Sequence, residues 1–323
     1  MLHRFLLFLI VSVGLSGFVM VDSARAQAEN VSSSSGCGSS VEFETGATEY
    51  ELESGGMTRS YLLYVPESFD PAAPTPLVLT FHGFAGWPAQ QMENSNWTQV
   101  ADENGFLVVY PAGTGFPLRW RIGQDFNEEN DETDDVAYIS DLLDALSDQF
   151  CLDLNRIYAN GLSNGGGMTY LLACDMADRF AAVGTVSGAY IEPEDGCQPS
   201  RPVPMITFHG TDDQIVPYEG LTSRRFNFPR IADWVADWAA RNSCDDTPET
   251  LPDVGEVSSV EYVNCDDNAK VIFYTVNGGG HAWPGGDTPM PERAVGHTTQ
   301  DIDASAVMWE FFKAHPLNNA SSE

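Results

Sequence analysis

Lysine is nearly missing from this sequence: of 15 basic residues only Lys270 and Lys313 are lysines, against 47 carboxylates, for a formal net charge of −32. A surface so poor in cations repels nucleic acid and anionic membranes, which need clustered Lys and Arg, so neither is expected as a partner. Dispersed acidity of this kind suits a saline medium, where screening relieves the self-repulsion. Internal repeats are missing, and no Pro/Gly/Ser-rich linker divides the chain after residue 40. Apolar runs long enough to approach a membrane span are confined to the N-terminus. The acidic run "DFNEENDETDD" (125–135) lacks the marks of a calcium loop, with Asn130 where glycine is needed and Val136 where glutamate is. It reads as a solvated loop whose last carboxylates cap the next helix, and no metal is expected there.

What is present begins with a compartment signal. Arg4 precedes the apolar run "FLLFLIVSVGLSGFVMV" and the small residues "SARAQA", the pattern of a secretory signal peptide over residues 1–26, cleaved after Ala26 or Ala28. The mature protein is then expected to be secreted, extracellular or periplasmic, with a flexible segment over 27–36, one domain over 37–316 and a tail over 317–323. Six cysteines in an oxidising compartment imply three disulfides. Cys151 just precedes a strand and Cys174 ends the helix that runs back along it, so these two are expected to pair. Cys244 and Cys265 flank a short acidic, turn-rich insertion and are expected to staple it. Cys37 is left for Cys197 by exclusion.

The pattern of hydrophobicity gives the fold class. After a hairpin, "ATEYELES" and "MTRSYLLYVPESF" around "GG", short apolar runs recur at 76–83, 105–113, 156–161, 180–188, 204–210 and 270–280. Near-continuous apolar runs of this length suit strands buried on both faces. Helical spacing appears between them in "DDVAYISDLLDALSDQF", "GGGMTYLLACDMADRF" and "FPRIADWVADWAARN", and at the end in "DASAVMWEFFKAH". The alternation predicts an α/β fold, a mostly parallel sheet with helices on both faces, and functional groups at the carboxyl ends of the strands.

The stretch "YANGLSNGGGMTYLLAC" (158–174) puts Ser163 between a strand and a helix, with glycines at 161 and 165. G-x-S-x-G alone is a weak signal, but in this context it reads as a nucleophile elbow, in which small residues allow the sharp turn that lifts the hydroxyl off the sheet. A serine hydroxyl needs a base, and the base a third group to hold its tautomer. In this fold they follow in the order Ser, Asp or Glu, His. Asp213 in "HGTDDQIVPY" and His281 in "GGGHAWPGG" each fall just past a strand. Asp213 is preferred to Asp212 as the residue deeper in the turn. His209 and His82, each before a glycine at a strand end, read as ordering groups; His297 and His315 lie outside such contexts. The oxyanion donors expected are the backbone N–H groups of Asn164 and of Phe84 in "FHGFAGWP". Trp87, Trp120 and Trp283, in loops near the same end, are candidates for an aromatic wall around an acyl group.

With these motifs in hand, the chain resembles the secreted polyhydroxybutyrate depolymerase-like and feruloyl esterases of carbohydrate esterase family 1, within the α/β-hydrolase superfamily. The resemblance runs over nearly all of the mature chain and is carried by "SGCG", "RSYLLYVPESFDP", "LVLTFHGFAG", "DDVAYISDLLD", "CLDLNRIYANGLSNGGGMTYLLAC", "RFAAVGTVSG", "HGTDDQIVPY" and "GGGHAWPGG". It implies an α/β-hydrolase fold, a triad of Ser163, Asp213 and His281, and no cofactor. The positions of Cys37, Cys197, Cys244 and Cys265 look like those of feruloyl esterases, whereas "GGGHAWPGG" is nearer the bacterial depolymerase-like lineage. Many extracellular polyester depolymerases carry an appended polymer-binding domain that this chain lacks. The expected substrates are therefore hydroxycinnamoyl or acetyl esters of plant polysaccharide, with hydroxyacid oligomers as the alternative and a monomer as the expected state. A secreted binding protein without turnover, or a peptidase on the same triad, are the remaining readings.

Overall fold

The computed structural model describes residues 31–39, 43–123, 133–193, 196–223, 226–287 and 290–317. The proposed signal peptide, the acidic run over 125–132 and the end of the tail lie outside them. The strands are β1 (Gly46–Ser54), β2 (Met57–Val65), β3 (Thr75–Phe81), β4 (Leu107–Pro111), β5 (Leu152–Leu162), β6 (Ala182–Val186), β7 (Met205–Gly210), β8 (Leu221–Thr222), β9 (Asn227–Phe228), β10 (Glu249–Val254), β11 (Val257–Tyr262) and β12 (Val271–Val276). The helices are α1 (Pro88–Ser95), α2 (Trp97–Asn104), α3 (Asp135–Gln149), α4 (Asn164–Asp175), α5 (Ile231–Arg241), α6 (Glu292–Val295) and α7 (Ala304–Lys313).

Ten strands form one sheet in the order β1-β2-β4-β3-β5-β6-β7-β12-β11-β10. The six central strands, from β4 to β12, are parallel, and antiparallel hairpins extend both edges. Alternation along the strands sorts the core into two layers. Leu77, Leu79 and Phe81 of β3 face one side with residues of α3, α4 and α5. Val78 faces the other with Trp97 of α2 and Met308, Trp309 and Phe312 of α7. Both faces are thus covered by helices, as the apolar runs require.

The disulfides correct two of the expected pairings. Cys37 bonds Cys151, Cys174 bonds Cys197, and Cys244 bonds Cys265. The Cys151–Cys174 expectation fails on length. The 12 residues of α4 rise about 18 Å, whereas the 11 residues of β5 span about 36 Å, so the helix returns only halfway down the strand. The next strand confirms that level, since β6 begins opposite Tyr158. Cys151 is left at the far end, where Cys37 meets it, and the Cys37–Cys197 pair expected by exclusion falls with it. Among the described residues before Cys37, Ser34 and Gly36 are also docked. Ser34 Oγ donates to Phe150 O at 2.6 Å and accepts from Leu152 N at 2.8 Å, and Gly36 N donates to Ser147 O at 2.8 Å. At the other end Leu317, placed in the tail from sequence, donates its N–H to Asn155 O.

Candidate active site

Three strand ends bring the site together. At the end of β5 the chain reverses sharply into α4, and Ser163 at the turn has φ 57° and ψ −119°. A non-glycine residue in that conformation is strained by about 1–3 kcal/mol and persists only where its surroundings force it. The surroundings here are glycines that permit close approach. A Cβ on Gly161 would lie 2.4 Å from the backbone of Gly165, and one on Gly165 would lie 2.2 Å from Phe81 O. Ser163 O then accepts from Gly167 N and Ala189 N, fixing the turn against α4 and the loop after β6.

The loop after β7 carries Asp213, which is buried while its neighbour Asp212 is exposed. Asp213 Oδ1 accepts from Ile215 N at 2.8 Å and Val216 N at 2.9 Å, and Oδ2 accepts from His281 Nδ1 at 2.7 Å. Burial alone would raise this carboxyl, but hydrogen bonds from His209 and His281, and their charges, outweigh it and hold Asp213 well below the ordinary carboxylate range. His281 follows β12, and its loop is stitched to the acid loop by Asp212 N to Gly279 O at 2.9 Å. With Nδ1 committed to Asp213, His281 keeps Nε2 for the cleft, which both it and Ser163 line.

The other histidines do different work. His209 is fully buried; its Nε2 lies 2.8 Å from Val216 O and 3.4 Å from Asp213 Oδ2. Val216 O only accepts, so Nε2 carries the proton and ties the acid loop to β7. His82 accepts from Gly113 N through Nε2 at 3.0 Å and faces Gly83 O through Nδ1 at 2.8 Å. Burial pushes its pKa down to about 4, despite the opposing hydrogen bond to Gly83. Neutral and held at both nitrogens, it fixes the loop that leads to Phe84. His297 contacts Glu256 Oε1 at 2.6 Å, and His315 contacts Phe311 O at 2.7 Å.

The cleft has a volume of about 470 Å³. Phe84, Trp87, Ile215 and Met290 line it, and each is about half exposed. Gln90, Gln91 and Asn94 of α1 line it as well. Of the three tryptophans expected as an aromatic wall, Trp87 is there. Trp120 and Trp283 are not, because both are fully buried with the indole N–H spent inside the protein. Trp120 is a clamp: its backbone N donates to Asn164 Oδ1 at 2.7 Å, its O accepts from Asn164 Nδ2 at 3.1 Å, and its Nε1 donates to His82 O at 3.0 Å. It thereby ties the start of α4 to the loop carrying Phe84. Trp283 packs beneath the His281 loop and donates to Ser305 Oγ at 3.1 Å. The α1 residues escaped the sequence reading, although Pro88 at the first helical turn was a usable start signal. Among the described residues no group of His, Cys, Asp and Glu could hold a metal ion, and no helix is long and apolar enough to cross a membrane.

An elbow serine sharing a cleft with a buried Asp–His pair can carry out acyl transfer, and known proteins point the same way. Residues 59–196 match the family described as "Esterase PHB depolymerase". The putative esterase NocK of Nocardia uniformis subsp. tsuyamanensis is 28% identical over 284 residues, covering 82% of each chain. Feruloyl esterase B of Piromyces equi is 30% identical over 234 residues; the match covers 69% of this chain and 42% of that longer protein. Among solved structures, an acetyl xylan esterase from Aspergillus awamori aligns with a TM-score of 0.55 over 73% of this chain and 94% of its own, at 16% identity, which speaks to fold alone. Sheet, elbow and likenesses define an α/β-hydrolase esterase. The chain is similar to the polyhydroxybutyrate depolymerase-like and feruloyl esterases, and it is a serine carboxylic ester hydrolase.

Proposed function

We propose that Ser163 is the nucleophile of this esterase, His281 its general base and Asp213 the group that holds His281, acting on hydroxycinnamoyl or acetyl esters of plant polysaccharide. The observation that carries the assignment is the 2.7 Å Asp213–His281 contact beside a strained serine in one cleft. His281 Nε2 takes the Ser163 proton as Oγ bonds to the ester carbonyl carbon, and the carbonyl oxygen becomes an oxyanion. The backbone N–H groups of Asn164 and Phe84 stabilise that charge, helped by the amino end of α4. The intermediate collapses, the C–O bond to the alcohol breaks, and His281 gives its proton to the departing alkoxide. His281 then takes a proton from water as it attacks the acyl carbon, the bond from that carbon to Ser163 Oγ breaks to release the acid, and His281 returns the proton to Oγ. No metal or cofactor enters these steps.

The half-exposed Trp87 and Phe84 offer flat faces to a planar hydroxycinnamoyl group. Ile215 and Met290 add apolar surface that also suits a hydroxyalkanoate chain, so oligomers of that class are the second reading. Residues 1–26 are read as the export signal, and the mature chain is read as a secreted monomer, in keeping with three disulfides. The deciding experiment measures acid release from methyl ferulate and from a 3-hydroxybutyrate oligomer, with Ser163→Ala as control. Preference for the ferulate is expected. Preference for the oligomer replaces the substrate assignment, and an active Ser163→Ala protein removes the mechanism.

A further inference from the structure

The α1 residues that line the cleft differ chemically from its apolar side chains. Positions 90, 91 and 94 share one face of an α-helix, and here they set three carboxamides along the cleft. Gln91 is occupied inside the protein, its Nε2 donating to Thr80 Oγ1 at 3.2 Å. Gln90 is half-buried. Asn94 is 6% exposed, and its Oδ1 is buried with no hydrogen-bond partner among the described residues. A buried amide oxygen without a protein partner is rare, because burying it costs the hydrogen bond it made to water. An aliphatic side chain would fill the same place without that cost. Because Asn94 also lines the cleft, a turn of its side chain gives this oxygen a partner when a ligand hydroxyl enters.

We propose that Asn94, with Gln90 beside it, forms the subsite for the alcohol half of the ester and selects a polyhydroxylated, sugar-type alcohol over a simple alkyl one. The proposal rests on the reading of the protein as an esterase of polysaccharide esters and adds the residues that recognise the sugar. Carboxamides suit that task. Each offers both a donor and an acceptor, matching vicinal hydroxyls that do both, and neither brings a charge that a neutral sugar would have to desolvate. The apolar side chains of Phe84, Trp87, Ile215 and Met290 then serve the acyl group, so the two halves of the substrate meet chemically distinct groups in one cleft. Sites with buried hydrogen-bonding groups discriminate strongly, since a substrate lacking the hydroxyl leaves those groups unpaired.

The test compares two esters of one acid, feruloyl arabinose and methyl ferulate, in wild type, Asn94→Leu and Gln90→Leu. The expected result is a fall of at least about tenfold in the ratio of kcat/KM for the sugar ester to that for the methyl ester in Asn94→Leu, with a smaller fall in Gln90→Leu. Thermal stability of Asn94→Leu should equal or exceed that of wild type, because the unpaired amide is removed. A ratio unchanged within about twofold, including the case where both activities fall together, overturns the proposal. If Asn94→Leu does not fold, Asn94 has a structural role and the Gln90→Leu ratio decides, overturning the proposal if it does not move. Wild-type preference for the 3-hydroxybutyrate oligomer over both ferulates is a separate outcome, which refutes the underlying substrate reading instead.

Discussion

The carboxylate of Asp213 is buried and charged, a combination that survives because each oxygen is occupied: Oδ1 by two backbone N–H groups, Oδ2 by His281 with His209 nearby. Asp213→Asn should keep that geometry but favour the wrong tautomer of His281, lowering kcat by about 10³–10⁴ at neutral pH with KM little changed. Steady-state kinetics on methyl ferulate check this, and a loss below tenfold would remove Asp213 from its role. His82 makes a second prediction through its depressed pKa. The folded state holds it neutral down to about pH 4, while the unfolded chain protonates near the ordinary 6.5. Stability from this group is therefore complete above pH 6.5 and is lost as pH falls from there toward 4, by about 3 kcal/mol. Urea denaturation at pH 7 and pH 4.5 should show that loss reduced in His82→Gln, where no proton is taken up; equal losses would count against it. That Ser163, Asp213 and His281 come together could be read from sequence because they obey chain order at strand ends. Trp120 and Trp283 could not, because a strand end gives the neighbourhood of a side chain but not its direction. Indoles with a polar N–H and a large apolar body fit a wall or a clamp equally, and at Trp120 and Trp283 the buried partners His82 O and Ser305 Oγ decide for packing.

Among elements, the central sheet was legible because strands buried on both faces must be largely apolar, and β3, β4, β6 and β7 are buried along their whole length. The hairpin of β10 and β11 was missed for the converse reason. It extends one edge of the sheet, β10 is exposed along nearly its whole length, and its sequence "ETLPDV" carries no apolar alternation. What reads as a turn-rich insertion between Cys244 and Cys265 is therefore two more strands. The disulfide pairing was illegible because it depends on how far α4 travels against β5, a length comparison that periodicity does not supply. The observed pairing has its own consequence. Cys37–Cys151 closes 114 residues and Cys244–Cys265 only 21. In the chain-entropy account the first stabilises by about 1.5 kcal/mol more than the second. Double Cys→Ser variants of each pair, compared by urea denaturation, should show the larger loss for Cys37–Cys151, which also anchors residues 31–39 to the start of β5. Equal losses would mean that the unfolded chain is already compact across that span.

The whole molecule carries its acidity with few compensating partners. Arg59 is spent in a buried pair with Asp135 at 2.7 Å, where Asp135 also accepts from Arg121 N. Arg156, Arg179, Arg230 and Arg241 each hold an acidic partner nearer the surface, as do both lysines. With 47 carboxylates against 15 basic groups, most acidic residues have no cation to meet. The folded state concentrates these charges into a smaller volume than the unfolded chain does, so their mutual repulsion opposes folding. Screening acts on this long-range repulsion, since the Debye length falls from about 30 Å at 0.01 M salt to about 3 Å at 1 M. It acts less on buried pairs such as Arg59–Asp135. The net effect of salt is therefore stabilising. Raising NaCl from about 0.01 M to 0.5 M should raise Tm by about 3 °C, corresponding to about 2 kcal/mol of relieved repulsion in a chain of this size. Most of the rise should come below about 0.3 M, and NaCl and choline chloride should act alike, because screening at low concentration depends on ionic strength and not on ion identity. A flat or falling Tm over that range would mean that the excess carboxylates are too well solvated and too dispersed to repel. The acidity would then bear on solubility and partner choice rather than on folding.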